Sequence, residues 1–544
     1  MISSLSKIGY RRRLTAALIC FLTLLSFFVC CKKEGFYIDE LWSYGLADSY
    51  YLPYLQEKDS YMATWHEPSF YMDYLRVTDG EEAFSYGSVL YNQSEDVHPP
   101  LYYMLLHTVC SFAPGTWSKW TGLFINLVFG AVILFLVYCV MRLLTGVKGD
   151  EKGTALAAMT GYGISAAAFS RVLYIRMYQM ATCAVLLVTY LTLRLLKESS
   201  QTSETIQSEK ASRRPGGLVI RLSICMFFVV LAGFLTHYYF LIYLFFLTLT
   251  VTAVLFAGKK FATAGCWLLS HAFAGGLGVL FFPASLTQIF HGEKGQESFS
   301  ALSQGGRMML RRVLSFGSLA GGELFGISSG AVWLLTAMLL SIAAVFCMRC
   351  IRTDRVVVIL PTFFFFVIVS VVATDDADRY LFPIYPCICI CFAMLIFDIG
   401  ERSGTISLAL AGLMLVLQIS SSVFAGQIAY LYPGYAGAKD ILETVYSDAP
   451  GVYITKGDHL VINNILFLSS LRQTIAVEPS HTEEIPQILA EGGFSDADTL
   501  VLFVDIYFDE EETAKQTASL LHFSSVEKLY DNTFTQIYLL RKTS

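Results

Sequence analysis

The chain has 544 residues, of which 55% are hydrophobic and only 15% are charged, and its formal net charge is −6. Because roughly a quarter of the residues in soluble domains are charged, this composition excludes a water-soluble protein and predicts an integral membrane protein. The 13 cysteines avoid both loop 32–97 and the sequence after residue 426, which excludes a disulfide-bonded exported scaffold.

Apolar runs along the chain predict about eleven membrane-spanning helices, since a hydrocarbon core about 30 Å thick requires roughly 20 apolar residues per helix. We interpret the first run, which follows the basic residues 11–13, as a retained anchor rather than a cleaved signal peptide, because ten more spans follow it. The runs lie at 14–31, 120–140, 154–170, 173–193, 218–236, 238–257, 262–283, 326–348, 356–373, 380–398 and 405–426.

Basic residues cluster in alternate loops, which predicts the orientation of the chain in a cell membrane. Loop 32–97, by contrast, holds 13 acidic residues against four basic ones. By the positive-inside rule the N-terminus is expected in the cytoplasm, and an odd number of spans places the C-terminal segment on the extracytoplasmic face. The clusters expected in the cytoplasm are residues 11–13, Arg142 with Lys148 and Lys152, Arg194 with Lys197, Arg213 with Arg214, Lys259 with Lys260, Arg349 with Arg352 and Arg355, and Arg402.

The first exported loop opens with the sequence FYIDELWSYGLADS, which brings two adjacent carboxylates, Asp39 and Glu40, close to the end of the first span. Apolar neighbours such as Ile38 and Trp42 indicate a position near the membrane surface. A carboxylate buried there would have a raised pKa and could act as a general base. The alternative is a solvated acidic pair that marks a helix end.

The same loop ends in DVHPPLYYMLLH, residues 96–107. The two prolines impose an extended entry and then suit the first turn of a helix. Asp96 and His98 precede this helix, and the aromatic pair Tyr102 and Tyr103 fits the membrane interface. The alternative is a capped interfacial helix without a chemical role.

Three later motifs lie at predicted extracytoplasmic helix junctions. They are SRVLYIRMYQM at 170–180 with Arg171, Arg176 and Tyr178, FLTHYYFLIY at 234–243 with His237, and TDDADRYLFPIYP at 374–386 with Arg379 and Tyr380. An arginine at membrane depth costs about 2.5–3.5 kcal/mol unless it finds a partner, and a lipid phosphate offers matching oxygens. The alternative for Arg379 is an ion pair with a nearby aspartate of the same motif.

The last part of the chain predicts a small extracytoplasmic α/β domain. Short apolar strands at 451–455, 474–478 and 499–508 alternate with helical patterns at 436–446, 460–470, 482–491 and 510–521. The predicted domains are therefore a transmembrane domain at 1–430, which includes the first extracytoplasmic loop at 32–119, and a soluble domain at 431–544.

The double acid after the first span, together with the His-Pro-Pro-Leu element that ends the first loop, resembles the protein O-mannosyltransferase group. The sequence is similar more widely to family 39 glycosyltransferases and to bacterial aminoarabinose transferases of lipid A, all of the C-type (GT-C) glycosyltransferase fold. The resemblance covers roughly residues 10–400 and not the C-terminal domain. It departs from the mannosyltransferases at Tyr102 and Tyr103, where Gly-Lys often stands, which argues against a protein acceptor.

The resemblance implies an all-α polytopic membrane enzyme that moves a sugar from a polyprenyl-phosphate donor to an acceptor hydroxyl on the extracytoplasmic face. Asp39 is expected to act as the general base, with inversion at the anomeric carbon, and Arg379 to stabilise the phosphate leaving group. The residues expected to catalyse are Asp39, Glu40 and Asp96, and those expected to bind substrate are His98, Arg176, Tyr178, His237, Arg379 and Tyr380.

The expected partners are the polyprenyl-phosphate sugar, membrane lipid and an acceptor glycan, lipid or protein of the cell envelope, and no nucleic acid. No cofactor is expected, although Asp39, Glu40, Asp96 and His98 could hold a divalent cation. Two alternative functions are a polytopic transporter or flippase of a lipid-linked or small solute, and a non-catalytic membrane-anchored binding protein. Charge-poor span centres favour the enzyme over a carrier, which usually has ionisable groups at mid-membrane.

Overall fold

The structure is a computed structural model that describes residues 2–58, 61–205, 216–301, 303, 305–347 and 352–542. The basic positions Arg213, Arg214 and Arg349 lie outside the described residues. Contacts divide the chain into two compact units, which we call the helical unit and the mixed unit. The helical unit comprises Met1–Cys31, Val97–Tyr102 and Leu123–Ala429, and the mixed unit comprises Lys32–Asp96, Tyr103–Gly122 and Tyr430–Ser544.

The first 110 residues form one long helix followed by the short elements of loop 32–119. The helices are α1 (Ile2–Cys31), α2 (Ile38–Asp48), α3 (Pro68–Met72), α4 (Tyr86–Glu95) and α5 (Leu101–Cys110), and a short strand β1 (Trp65–His66) and a 3-10 turn (Leu55–Glu57) precede α3.

The middle of the chain is built of helices joined by turns and short loops, because an apolar segment can satisfy its backbone hydrogen bonds internally only as a helix. Its elements are α6 (Lys119–Glu151), α7 (Thr154–Gly163), α8 (Ala166–Leu173), α9 (Tyr178–Thr205), α10 (Gly217–Phe234), α11 (Tyr239–Ala257), α12 (Phe261–Phe281), α13 (Ala284–Phe290), α14 (Glu293–Ala301), α15 (Gly306–Phe325), α16 (Gly330–Cys347), α17 (Thr353–Val372), a 3-10 helix (Asp378–Ile384), α18 (Tyr385–Gly400) and α19 (Gly404–Val423).

Within the described ranges, nine helices are long and apolar enough to cross a membrane, or ten if the bent pair α15 and α16 counts as one span. The predicted class of a polytopic helical membrane protein is thus confirmed. The predicted run 154–170 differs from a simple span, because it is broken into α7 and α8. Ser165 causes this break: its side chain accepts a hydrogen bond from the Ala168 amide at 3.4 Å and so caps a new helix.

The C-terminal segment folds with loop 32–119 around one six-stranded sheet. Its elements are α20 (Tyr435–Thr444), β2 (Pro450–Ile454), α21 (Val461–Leu468), β3 (Gln473–Val477), a 3-10 helix (Pro479–Glu484), α22 (Ile485–Glu491), β4 (Thr499–Asp505), α23 (Glu510–Leu520), β5 (Ser525–Asn532) and β6 (Thr535–Arg541). The strands are ordered β1-β3-β2-β4-β6-β5. β2 pairs in parallel with both β3 and β4, which matches the predicted α/β alternation.

Loop 32–119 contributes the edge strand β1 of this sheet. Trp65 pairs with Ile475 and His66 with Thr474 in antiparallel register. The apolar core of the sheet includes Val452, Leu502 and Leu540, and Trp65 packs against it. Loop 32–119 was predicted to belong with the spans, whereas its contacts group most of it with residues 430–544.

The pairing of β1 with β3 also limits the topology, because hydrogen-bonded strands lie on the same side of a membrane. An even number of crossings must therefore separate the start of α6 from the end of α19. Eight of the nine span candidates among the described residues lie in this interval.

Candidate active site

The predicted catalytic acids Asp39 and Glu40 lie in the first turn of α2, but their surroundings differ. Glu40 is fully buried, and its Oε2 accepts hydrogen bonds from the Lys33 ammonium at 3.0 Å and from the Tyr37 amide at 2.7 Å. The Lys33 side chain is equally buried and also donates to the Tyr430 carbonyl at 2.9 Å. Glu40 therefore neutralises a buried cation and caps its own helix.

Asp39 is only partly buried. It precedes Glu40 in the helical turn whose backbone N–H groups favour a negative charge. Its backbone carbonyl accepts a hydrogen bond from the Ser43 hydroxyl at 3.0 Å, so the residue is held in the helix. Of the two carboxylates in this motif, Asp39 is therefore the less buried one.

Asp96 follows the end of α4 in the same mixed unit and is partly buried. It lies near Tyr54, whose hydroxyl donates to the Glu95 carbonyl at 2.6 Å and whose ring meets Trp42 of α2 edge-on, with centroids 5.3 Å apart. Burial raises the pKa of Tyr54, and the negative charge of Asp96 raises it further. This phenol stays protonated and can donate hydrogen bonds at neutral pH.

Four predicted substrate-binding residues meet in the helical unit. Arg176 Nη2 lies 3.4 Å from His98 Nε2, and the two side chains belong to segments 78 positions apart in sequence. The ring centroid of His237 lies 6.1 Å from that of His98 and 5.0 Å from that of Tyr178. Arg176, Tyr178 and His237 are almost completely buried. We call these four residues the cationic cluster.

Backbone contacts hold the segments of this cluster in place. The Leu101 amide, just after the two prolines, donates to the Leu235 carbonyl at the end of α10 at 2.9 Å. The Asn126 side chain donates to the carbonyls of Val172 and Tyr174 at 3.1 and 2.7 Å, which fixes the turn before Arg176. The cluster is therefore preorganised by groups outside it.

His237 contributes a neutral imidazole to the cluster. Burial lowers its pKa well below the usual value, and the neighbouring His98 and Arg176 lower it further. Its Nδ1 accepts a hydrogen bond from the Tyr239 amide at 3.0 Å. The neutral ring consequently carries its proton on Nε2, where it can serve as a hydrogen-bond donor.

Arg379 and Tyr380 connect to this cluster through an aromatic residue. The Tyr380 ring lies 5.7 Å from that of Tyr239, which lies 5.1 Å from that of His237. Arg379 Nη2 lies 3.6 Å from the mostly exposed carboxylate of Asp375, so the ion pair considered as the alternative is present. The Arg379 guanidinium also lies 5.0 Å from the ring centroid of Tyr380.

Arg171, the remaining arginine of the 170–180 motif, has protein partners. It is buried, it donates to the Phe382 carbonyl at 3.2 Å, and its guanidinium lies 5.0 Å from the centre of the Tyr162 ring. These contacts hold the 3-10 helix that carries Arg379 and Tyr380 against α8.

Two charged residues near that 3-10 helix were not predicted from the sequence. Arg312 of α15 donates to the Ser370 carbonyl at 3.0 Å and lies 3.5 Å from Asp376. Glu323 is buried near the end of α15 and interacts with Asp378. Glu323 did carry a signal, since it is a lone acid in an apolar run, which favours a buried partner.

Among the described residues, no group of three or more His, Cys, Asp or Glu side chains is arranged to hold a metal ion. Asp39, Glu40 and Asp96 belong to the mixed unit, whereas His98 belongs to the helical unit. The expectation that the protein uses no metal stays a prediction.

Comparison with known proteins gives likeness in structure but not in sequence. No family model and no curated protein matches the sequence. The chain is similar to the crystal structure of ArnT from Cupriavidus metallidurans in the apo state, with 9% identity over 98% of each chain and a TM-score of 0.52. It also aligns with the oligosaccharyltransferase AglB from Archaeoglobus fulgidus in complex with an inhibitory peptide and a dolichol-phosphate, with 11% identity over 97% of this chain and 74% of that chain and a TM-score of 0.47.

At such low identity the likeness to ArnT is one of fold, and it extends over the whole chain. The resemblance to the C-type glycosyltransferases that the loop motifs indicated is thereby confirmed at the level of the fold. It also reaches the C-terminal segment, which the sequence resemblance did not cover.

Proposed function

We propose that the chain is a membrane glycosyltransferase that moves a sugar from a polyprenyl-phosphate donor to an acceptor hydroxyl on the extracytoplasmic face. The observation that carries the proposal is the cationic cluster, in which three distant parts of the chain bring together a buried arginine and two imidazoles. The GT-C fold supports the same general kind of enzyme. The families that the loop motifs resemble share this fold, and they transfer sugars from lipid-linked donors.

In this proposal the cationic cluster binds the donor phosphate. A guanidinium matches phosphate oxygens in a two-point geometry, and a buried arginine near membrane depth is stabilised by such an anion. The Nε2–H group of His237 and the hydroxyl of Tyr178 are further donors. Arg379 joins them when phosphate replaces its contact with exposed Asp375, since ion pairs of that kind contribute little stability.

Asp39 is the proposed general base. It takes the proton of the acceptor hydroxyl as the acceptor oxygen forms a bond to the anomeric carbon. The bond between that carbon and the phosphate oxygen breaks, and its electron pair leaves with the phosphate, whose charge the arginines stabilise. Such a direct displacement inverts the anomeric configuration. Tyr380 donates a hydrogen bond to the same phosphate, and Asp96 orients the acceptor.

Sugar transfer in isolated membranes tests the proposal directly. Membranes containing the full chain are supplied with labelled polyprenyl-phosphate sugars, and the labelled acceptor and the released polyprenyl phosphate are both quantified. General-base catalysis contributes about 10²–10⁴ in rate, so Asp39→Asn should reduce transfer by that factor while the protein still inserts and folds.

Glu81→Gln is the matched control, because it removes one exposed negative charge from the same loop and should leave transfer unchanged. Transfer by Asp39→Asn close to that of the wild type would show that this carboxylate is not the base. Uptake of a substrate without release of polyprenyl phosphate would identify a carrier instead.

A further inference from the structure

A cleft of about 850 Å³ lies at the opposite, predicted cytoplasmic, ends of the spans. Residues from the ends of α6, α9 and α11, from the turn after α11 and from the start of α17 line it. Leu143, Leu193 and Leu255 supply an apolar part of the lining. The cleft belongs wholly to the helical unit and contains no residue of the proposed active site.

The charge of the lining is positive. Arg352 and Asp354 neutralise each other through a two-point ion pair, with distances of 2.7 and 3.2 Å. Among the described residues that line the cleft, the two other charged ones are Lys197 and Lys260, and both are cations. Lys260 donates to the hydroxyls of Ser199 and Ser200 at 3.3 and 3.2 Å, and these partners carry no charge.

Burial lowers the pKa of Lys260, which means that its surroundings disfavour its positive charge. An anion in the cleft would compensate this cost.

One wall of the cleft is rigid. Arg355, one turn after Arg352, makes a two-point ion pair with Asp398 of α18 at 2.8 and 3.0 Å, and both side chains are almost fully buried. Arg355 also donates to the Leu144 carbonyl of α6 at 2.8 Å. These contacts fix α6 and α17 relative to each other, so the cleft does not need to form when a ligand arrives.

We propose that this cleft binds the phosphodiester headgroup of an anionic phospholipid from the cytoplasmic leaflet. The positive charges of the two lysines complement the negative charge of the phosphate. The leucine side chains offer an apolar surface to the first part of the acyl chains. Basic clefts between helices at the cytoplasmic surface are suited to such headgroups, because that leaflet carries the anionic lipid. The apolar lining favours a lipid over free phosphate, which has no apolar part to bury.

The experiment measures the apparent melting temperature of the purified full-length protein in detergent as lipid is added. Phosphatidylglycerol should raise the melting temperature, whereas phosphatidylcholine and inorganic phosphate should not. In the double variant Lys197→Gln/Lys260→Gln, the concentration of phosphatidylglycerol that gives half of the shift should rise about 30-fold, since each charge near the membrane surface contributes roughly a five-fold gain in binding.

Lys259→Gln is the matched control, because it removes the same charge from the adjacent exposed residue, which does not line the cleft. It should respond like the wild type, and Lys260→Arg, which keeps the charge, should do so too. If these two variants respond normally, the weaker response of the double variant reflects the loss of the lipid site and not a general loss of folding.

Three outcomes would overturn the proposal: an unaltered phosphatidylglycerol response in the double variant, an equal response to phosphatidylcholine, or a full response to inorganic phosphate. None of them bears on the transfer assay. The lipid site and the proposed glycosyltransferase activity can therefore fail independently.

Discussion

The acidic start of α2 and the cationic cluster are built in opposite ways. The acidic start is one continuous stretch, but its adjacent carboxylates have different surroundings. Glu40 forms a fully buried ion pair with Lys33, whereas Asp39 is partly exposed. The cationic cluster instead draws His98, Arg176 and His237 from segments far apart in sequence. The sequence therefore locates a contiguous motif but does not show which of its residues has which role. For a dispersed site, the sequence identifies the residues but does not show that they lie together in the fold.

The largest effect on stability is expected from breaking the buried pair beside Asp39. Glu40→Gln leaves the Lys33 ammonium buried without its counter-ion, and the loss of one partner of such a pair costs about 3–5 kcal/mol. The apparent melting temperature of the purified protein measures this loss. Asp39→Asn serves as the control, since it should reduce transfer and hardly change the melting temperature.

A double variant sharpens that prediction. Lys33→Met/Glu40→Leu removes both buried charges and should recover most of the stability that Glu40→Gln loses. If Glu40→Gln melts at the wild-type temperature, the pair does not hold this part of the mixed unit. If Glu40→Gln reduces transfer while its melting temperature is unchanged, Glu40 acts in the chemistry rather than in the fold.

A smaller effect, on donor binding, is expected in the cationic cluster. Arg176→Gln removes charge-assisted hydrogen bonds to the donor phosphate, which are worth about 1.5–3 kcal/mol, so the KM for the donor should rise roughly ten- to hundred-fold. Arg176→Lys keeps the charge but loses the two-point geometry and should fall in between.

Arg194→Gln is the control for this series, because Arg194 lies on α9, the helix that begins two residues after Arg176, and its guanidinium donates to the Tyr190 hydroxyl at 3.0 Å, outside the cluster. It should leave the KM for the donor unchanged. Inhibition by free polyprenyl phosphate gives a second measurement. An Arg176→Gln variant that is inhibited as strongly as the wild type would exclude Arg176 from phosphate binding.

The smallest effect is expected at Asp505, an acid of the mixed unit outside the proposed site. It is buried and accepts hydrogen bonds from the hydroxyls of Tyr453 and Thr535 at 2.6 and 2.9 Å. Burial raises its pKa from 3.8 to about 6. Because the pKa of Asp505 is higher in the folded than in the unfolded state, the folded state binds the proton more tightly. The free energy of unfolding therefore falls as the pH rises from about 4 to about 6, and it stays lower above that range.

Asp505→Asn should remove this part of the pH dependence, on the order of 1–3 kcal/mol, and leave sugar transfer unchanged. Melting temperatures of wild type and variant at pH 5 and pH 8 measure it. An equal drop in both proteins would assign the pH dependence to other groups. The stability changes of Asp505→Asn and Glu40→Gln can then be compared. Glu40 is a buried carboxylate paired with a cation, whereas Asp505 is a buried carboxylate that accepts hydrogen bonds from hydroxyl groups.

The membrane class, the alternating C-terminal elements and most of the spans could be predicted because each follows from a local pattern of apolar residues. The sequence predicted strands at 451–455 and 474–478, and β2 and β3 form there. The break between α7 and α8 was missed, because a single serine cap inside an apolar run is a weak signal. The edge strand β1 was missed, because two residues carry no periodicity.

The candidate site shows the same limit. The residues of the cationic cluster could be named from their motifs, but their meeting depends on the packing of α9 and α10 and on the bond from Leu101 to Leu235. The burial of Glu40 could not be predicted, since Lys33 is seven residues away and the Tyr430 carbonyl is almost 400 residues away. Long-range partners of this kind leave no trace in a local pattern.

The edge strand β1 has a consequence for how the protein is made. Its partner β3 is synthesised about 400 residues later, which corresponds to roughly 20–80 s at typical rates of translation. During this interval the ribosome produces every span from α6 to α19, while Trp65 and His66 wait outside the membrane without their strand partner. The edge pairing of this sheet therefore cannot form until β3 has been synthesised, so a strand made early in the chain depends on a partner that is made much later.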